Sequence, residues 1–158
     1  MNTTTSSTAS VLNDLIETCR DGQEGFRVAA EDVKNPQLKA LFMEYSEQRG
    51  RFVGELQRLV QRTDKEPETD SSFLGELHRG WINLKSALAG GDEHAILAEC
   101  ERGEDSAVAE YRKALEADLP ANAAEVVRRQ SAEVQAAHDR VRDLRDAAEA
   151  AKKSTNQS

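Results

Sequence analysis

A few polar side chains of this sequence fall on or beside helical stripes that are otherwise apolar, and they are the first candidates for chemistry. Glu104 lies on one such stripe, Gln48 and Arg49 interrupt a second, and Glu133 and His138 flank a third. Carboxylates and imidazoles that converge in an apolar interior can bind a divalent metal ion. A carboxylate and a guanidinium in the same place instead form a buried ion pair. Two interpretations are therefore open: a metal site of Glu104, Glu133 and His138, or a buried polar network of Arg49, Glu104, His138 and Gln48.

Apolar residues recur at steps of three and four along almost the whole chain, which predicts amphipathic helices. The stripes of four long helices run over residues 10–33, 38–59, 97–115 and 127–148. Asn35-Pro36 and Leu119-Pro120 separate the members of each pair. A shorter helix is predicted next, with an apolar stripe over residues 74–88 that includes Trp81, and Gly90-Gly91 ends it. A polar linker over 63–72 precedes it.

The lengths of the connections predict how these helices are arranged. The two proline junctions are so short that each joins an antiparallel hairpin. The segment over 63–91 joins the hairpins, and its helix of about 18 residues can travel roughly 27 Å along the bundle. The second and third long helices are therefore expected to be parallel, and the long crossover between them contains the shorter fifth helix.

Three segments of the chain resemble a known family. They are VLNDLIETC at 11–19 with DG at 21–22 and GF at 25–26, LHRGW at 77–81, and CERGED at 100–105. These segments resemble a bacterial ferritin-like family of unknown function, distantly related to stress-induced ferritin-like proteins, over roughly 11–144. The resemblance implies an all-α, ferritin-like four-helix bundle with a long crossover connection. It implies no established activity.

The residues that would carry a dinuclear iron site depart from the ferritin-like pattern. Such a site takes a Glu from each of two helices and a Glu-x-x-His from each of the other two. The first helix instead has Cys19 and Gly22 at mid-length, and the second has Gln48 and Arg49. Glu104 alone occupies a ligand position outright, and a cation such as Arg49 would repel a metal ion placed beside it. The sequence therefore favours the buried ion pair of Arg49 with Glu104.

Composition excludes several other classes of protein. The 158 residues contain 21 Lys and Arg against 29 Asp and Glu, and the net charge of −8 argues against binding to a nucleic-acid backbone. Runs of about 18 apolar residues, which a membrane helix requires, are absent from the sequence. Cys19 and Cys100 are distant in sequence and lie on apolar stripes, which indicates packed thiols in a reducing cytoplasm.

Together these observations predict a disordered lead over residues 1–9, one helical-bundle domain over 10–151, and a disordered tail over 152–158. No nucleophile–base pair, phosphate-binding loop or cofactor fingerprint is visible, so we expect a non-enzymatic protein without a cofactor. The resemblance implies a stress-associated role, and the cysteines indicate the cytoplasm. We expect the protein to form a homo-oligomer or to bind a protein partner, and to bind neither nucleic acid nor a membrane. The alternative is a metal-binding or iron-handling protein that uses iron or another divalent metal.

Overall fold

The computed structural model describes the backbone of residues 3–63 and 78–156 and the side chains of 8–63 and 78–155. Over these residues the chain forms five helices and no strand, which confirms the predicted all-α class. None of the described helices combines the length and apolarity that a membrane crossing would need. The helices are α1 (Thr3–Asp32), α2 (Pro36–Gln61), α3 (Leu84–Gly90), α4 (Glu93–Glu116) and α5 (Ala121–Asn156).

Local polar residues fix where two of the long helices begin. The side chain of Asn35 accepts a hydrogen bond from the backbone N–H of Gln37 at 2.9 Å, and Pro36 occupies the first helical position of α2. In α4, the Asp92 carboxylate accepts from the backbone N–H of His94 at 3.0 Å. Both caps satisfy N–H groups that the first turn of a helix leaves without a partner. The short hairpin between α1 and α2 therefore follows from its sequence.

The direction of each helix follows from contacts at the two ends of the bundle. The helices form two hairpins, α1 with α2 and α4 with α5, and α1 also packs against α4. Asn35 Nδ2 donates to Glu93 Oε1 at 3.1 Å, so α2 and α4 begin at the same end. Leu12, Leu59 and Ala123 meet at the other end, where α1 and α5 begin and α2 ends. Helices α2 and α4 are thus parallel and diagonally opposed.

Residues 78–83, which we call the strap, are not helical, so the helix predicted over 74–88 is wrong there. Only α3 remains of it, because Arg79 (φ 43°) and Gly80 (φ 86°) adopt left-handed backbone conformations that end a helix. A Cβ on Gly80 would lie 2.8 Å from the backbone oxygen of Arg102, so the strap approaches α4 too closely for a side chain at this position. The part of that prediction over 74–77 lies outside the described residues.

Helices α1 and α5 extend into the segments that the sequence assigns to the lead and the tail. Helix α1 begins at Thr3 instead of near residue 10, and α5 continues to Asn156. Thr8 and Ala9 are buried against the bundle, and this packing outweighs the modest helix propensity of a Thr/Ser-rich stretch. The division into lead, domain and tail stays a prediction.

The apolar core consists of two clusters at different heights in the bundle. The one nearer the start of α1 includes Leu12, Leu15, Leu56, Val127 and Val134. The one nearer the α1–α2 connection includes Phe26, Phe42, Trp81, Leu97 and Val141. On α2 and α4, Arg49 and Glu104 fall between the two clusters, so a charged layer divides the core.

Candidate functional site

A charged pair lies at the centre of the bundle. Arg49 Nη1 and Nη2 each donate to one oxygen of the Glu104 carboxylate, both at 2.6 Å. The two side chains are 1 % and 0 % exposed. The structure thus brings together the two residues between which the sequence favours an ion pair, in the planar two-bond geometry that a guanidinium offers to a carboxylate. Both oxygens of Glu104 are occupied.

Neighbouring residues make room for the guanidinium and satisfy its Nε–H donor. A Cβ on Gly22 would lie 2.9 Å from Arg49 Nη1, so the glycine provides the space for this side chain. Arg49 Nε donates to Gln48 Oε1 at 3.2 Å, and Arg49 Cζ lies 5.6 Å from the centroid of the Phe26 ring. Burial alone would lower the pKa of Arg49, but the charge and hydrogen bonds of Glu104 outweigh it and raise that pKa. The guanidinium is a permanent cation here.

A second buried network continues from this layer toward the surface. Cys19 Sγ lies 3.0 Å from the hydroxyl of Tyr111, which donates to Gln130 Oε1 at 2.7 Å. Gln130 Nε2 donates to Glu55 Oε1 at 2.9 Å, and the exposed Arg129 binds the other oxygen of Glu55. Burial raises the pKa of Cys19 to about 11 and raises that of Tyr111 well above its usual value. Both groups are therefore neutral, and this network is the satisfied polar interior of the bundle.

His138 does not join Arg49 and Glu104, so its assignment to the buried network is wrong. The preceding residue on α5, Ala137, faces the core, and one further residue turns the side chain by about 100° toward the flank of α4. There His138 Nε2 lies 2.7 Å from Asp105 Oδ1, and Nδ1 lies 3.0 Å from Asp139 Oδ1. Burial lowers the pKa of His138, but these two carboxylates outweigh it and raise the pKa above its usual value.

Glu133 also lies away from the charged pair. The inward positions of this part of α5 belong to Gln130 and Val134, which are both fully buried. The Glu133 side chain is 45 % exposed, and its carboxylate lies 3.8 Å from Arg129. The set of Glu104, Glu133 and His138, proposed from the sequence as metal ligands, therefore does not converge.

One group of acidic and imidazole side chains does converge, on the seam between α4 and α5. Ligand atoms of Glu101, Asp105 and His138 all lie within 4.8 Å of one another. Arg145 already forms an ion pair with Glu101, and His138 bonds a carboxylate through each ring nitrogen. As it stands, this cluster is an ion-pair network. The sequence signal that could have revealed it is the spacing of Glu101 and Asp105, which places two carboxylates on one face of α4.

Comparison with known proteins assigns most of the chain to a described family. Residues 7–117 match the family described as Domain of unknown function (DUF2383). The chain belongs to this family. No curated protein matches it.

The DUF2383 match covers the charged pair and the strap but leaves out α5. Arg49, Glu104, Tyr111 and Trp81 lie within residues 7–117, whereas Gln130 and the other α5 residues lie beyond them. The central ion pair is therefore built entirely from the matched part of the chain.

The strap joins α1 to α4 within the DUF2383 region. The Trp81 ring inserts between two glycines, because a Cβ on Gly25 would lie 2.3 Å from it and a Cβ on Gly103 would lie 2.1 Å from it. Trp81 also packs edge-on against Phe26, with ring centroids 4.9 Å apart. The sequence indicates that Trp81 is a core residue, but the wedge between two helices depends on a non-helical strap that periodicity does not predict.

The neighbouring residue of the strap binds acidic side chains of α1. Arg79 Nη2 lies 2.8 Å from Glu17 Oε2, and Arg79 Nε lies 3.3 Å from Asp21 Oδ2. The Asp21 side chain is only 2 % exposed, and neither of its oxygens accepts a hydrogen bond from a described residue. Burial raises the pKa of Asp21 to about 6, although Arg79 acts in the opposite direction.

The raised pKa of Asp21 predicts a pH-dependent stability. The folded protein keeps a proton on Asp21 in a range where the unfolded chain has lost it, because the usual pKa is 3.8. The resulting stabilisation is fully present below about pH 4 and is lost as the pH rises through about 6. Asp21→Asn cannot ionise, so its free energy of unfolding should increase relative to wild type as the pH rises through this window. Urea unfolding at a series of pH values measures this difference, and a difference that is constant with pH would contradict the assignment.

Proposed function

We propose that this DUF2383 protein is a non-enzymatic, ferritin-like helical bundle in which an internal ion pair stands where a metal-binding relative would hold its ions. The observation that supports the proposal best is the arrangement of Arg49 and Glu104. The guanidinium binds both oxygens of the one acidic side chain that occupies a ligand position in the interior. The parallel direction of α2 and α4, with a long connection between them, is in keeping with a ferritin-like topology.

Electrostatics explains why this arrangement disfavours a metal ion. Two adjacent divalent ions need several anionic oxygens, with imidazoles completing their coordination. At this level of the bundle, neither Gly22 nor Ala137 has a side-chain group that could bind a metal ion. Arg49 supplies a positive charge. A metal ion would have to displace the guanidinium from Glu104 and then lie beside a buried cation. The ion pair is therefore the stable occupant.

The burial of Cys19 and Tyr111 also supports a non-enzymatic role. Cys19 and Tyr111 are 1 % exposed, and burial raises the pKa of both. A thiol that acts as a nucleophile has to be ionised and accessible, and Cys19 is neither. We infer that the protein acts through association with itself or with another protein. On the basis of resemblance, we place that role in the cytoplasm of a bacterium under stress.

Metal analysis tests the proposal directly. We expect untagged protein, purified without chelators, to contain far less than one iron, manganese or zinc ion per chain by plasma emission. Its melting temperature should be the same with and without added metal, because an ion that bound only the folded state would raise it. Near-stoichiometric metal that is lost in Glu104→Gln would overturn the proposal.

A matched variant locates any ion that does bind. His138→Gln removes the imidazole of the cluster formed with Glu101 and Asp105 but leaves the central pair intact. Metal that is retained in Glu104→Gln and lost in His138→Gln would place the ion on the α4–α5 seam. That outcome would favour the alternative function of metal binding, at residues other than those that the sequence suggests.

A further inference from the structure

Among the residues that the structure describes, none covers the side of the bundle between α2 and α5. The other neighbouring pairs of long helices pack closely, but α2 and α5 touch at few places. The α2/α5 groove, of about 680 Å³, lies between them near the α1–α2 connection. Its apolar lining includes Leu38, Leu41, Leu97, Leu144 and Ala148. The strap crosses the bundle between α1 and α4, so it does not cover this groove.

At each of two heights on this side of the bundle, α2 and α5 carry charged residues of opposite sign. In the α2/α5 groove, the acidic Glu44 belongs to α2 and the basic Arg140 to α5. In a second, more polar groove further along the same side, the basic Arg51 belongs to α2 and the acidic Glu133 to α5. All four residues are at least partly exposed. At the heights of these four residues, α2 and α5 therefore carry opposite charges, and the order of the signs is reversed between the two helices. The second groove is also lined by Glu55, Arg58 and Arg129, of which Glu55 and Arg129 form an ion pair with each other.

The spacing of these charges is the same on both helices. Glu44 and Arg51 are seven residues apart on α2, and Glu133 and Arg140 are seven apart on α5, which corresponds to about 10.5 Å along each axis. Within the described part of the chain, Glu44, Arg51 and Arg140 form no ion pair, and Glu133 has only the 3.8 Å contact with Arg129. The four charges are therefore available to a binding partner.

We propose that the α2/α5 side binds a second copy of this chain about a two-fold axis parallel to the helices. Such an axis places α2 of one protomer opposite α5 of the other at the same height. Glu44 then faces Arg140 of the partner subunit, and Arg51 faces Glu133 of the partner subunit. The two apolar groove linings meet in the centre, so one rotation matches all four charges and covers the exposed apolar surface.

The pattern favours a second copy over an unrelated partner because the surface is complementary to itself. An isologous interface needs each patch to match its own rotated image, and the antiparallel charge order of α2 and α5 provides this match. Leu41, Leu144 and Ala148 are partly exposed, and their burial contributes to the driving force. The rim charges select the partner and fix the register. The inference adds an interface to the proposed function and does not depend on whether the protein binds metal.

Paired charge reversals test this interface. One variant reverses the α2 wall with Glu44→Arg and Arg51→Glu, and the other reverses the α5 wall with Glu133→Arg and Arg140→Glu. Each keeps the net charge unchanged but opposes like charges in its own dimer. We expect wild type to sediment as a dimer and the dissociation constant of each variant alone to rise at least about tenfold. An equimolar mixture should again form a dimer, since the two reversed walls match each other and the two native walls match each other.

Controls distinguish this result from a general effect of charge. Arg112→Glu with Glu116→Arg makes the same exchange on the exposed face of α4 and should leave the dimer unchanged. At a protein concentration low enough for every variant to be monomeric, circular dichroism should show the same melting temperature for all of them. Wild type that is monomeric over the whole concentration series, or a dimer that the reversals do not weaken, would overturn the proposal. Variants that stay monomeric when mixed would also overturn it.

A crosslinking measurement tests the same geometry without altering any charge. Ala40 on α2 and Ala147 on α5 both line the α2/α5 groove. Single variants Ala40→Cys and Ala147→Cys, mixed and treated with a short bis-maleimide, should give a covalent dimer more efficiently than either variant alone. Equal yields from the mixture and from each single variant would contradict the proposed axis.

Discussion

Replacing Glu104 by leucine is expected to lower the free energy of unfolding by about 3–5 kcal/mol. The substitution leaves Arg49 fully buried, with its charge opposed by no carboxylate at hydrogen-bonding distance. Arg49→Met should cost a similar amount, because Glu104 then becomes the uncompensated buried charge. Urea unfolding followed by circular dichroism measures both changes, provided that the dependence of the free energy on denaturant concentration stays the same.

The double variant Arg49→Met/Glu104→Leu separates the cost of an unpaired charge from the value of the pair. Removal of both charges leaves an apolar layer of similar volume, and such replacements are often neutral or stabilising. We therefore expect the double variant to be more stable than either single variant. As a control, Arg27→Met removes an exposed ion pair with Glu24 and should cost less than about 1 kcal/mol. Single variants at the central pair that cost no more than this control would contradict the buried-charge interpretation.

Truncation of Trp81 to alanine is expected to lower the free energy of unfolding by about 3–5 kcal/mol. The ring is 1 % exposed and fills the space between Gly25 and Gly103, so its loss leaves a cavity where α1 and α4 meet. Gly103→Ala should also destabilise the fold, because the new Cβ would lie 2.1 Å from the ring. Chemical unfolding of the two single variants and of the double variant measures these effects.

The double variant provides the sharper test of the wedge. If Trp81 and Gly103 act only on each other, Trp81→Ala removes the clash that Gly103→Ala creates, and the combined cost falls well below the sum of the single costs. Gly90→Ala is the matched control, because a Cβ at this position would have no atom outside the local helix within 4 Å. Costs that simply add would show that Gly103 matters for a reason other than the indole ring.

The sequence predicts the long helices well because their apolar residues recur with the helical period. Asn35-Pro36 also predicts the first hairpin, since the asparagine caps α2 through a local hydrogen bond. The periodicity does not predict the strap, because the position of Trp81 depends on contacts with distant parts of the chain. Trp81 and Leu84 are both buried and fit a helical stripe, yet the backbone reverses at Gly80 to bring the indole ring between two other helices. Such a contact depends on distant residues, and periodicity reports only on neighbours along the chain.

In the candidate site, spacing along the chain predicts the position of Glu104 but not that of His138. Glu104 lies at the centre of its stripe, so a small error in the assumed rotation of the helix would not turn its side chain away from the core. His138 lies at the margin of a stripe, where a single step along the helix exchanges the core for the surface. Ala137 takes the inward position, and His138 binds Asp105 instead. Residues at the edge of a stripe therefore cannot be assigned to an interior site by spacing alone.

The position of the charged layer between the two apolar clusters limits the ways in which this chain can misfold. A slip of α2 by one turn would move the guanidinium of Arg49 by about 5.4 Å, out of reach of Glu104 and into an apolar cluster. An alignment shifted in this way therefore contains two separated charges in a low-dielectric interior, and we expect this to destabilise the competing compact state. The ion pair thereby selects a single alignment among many alignments that apolar stripes alone would tolerate.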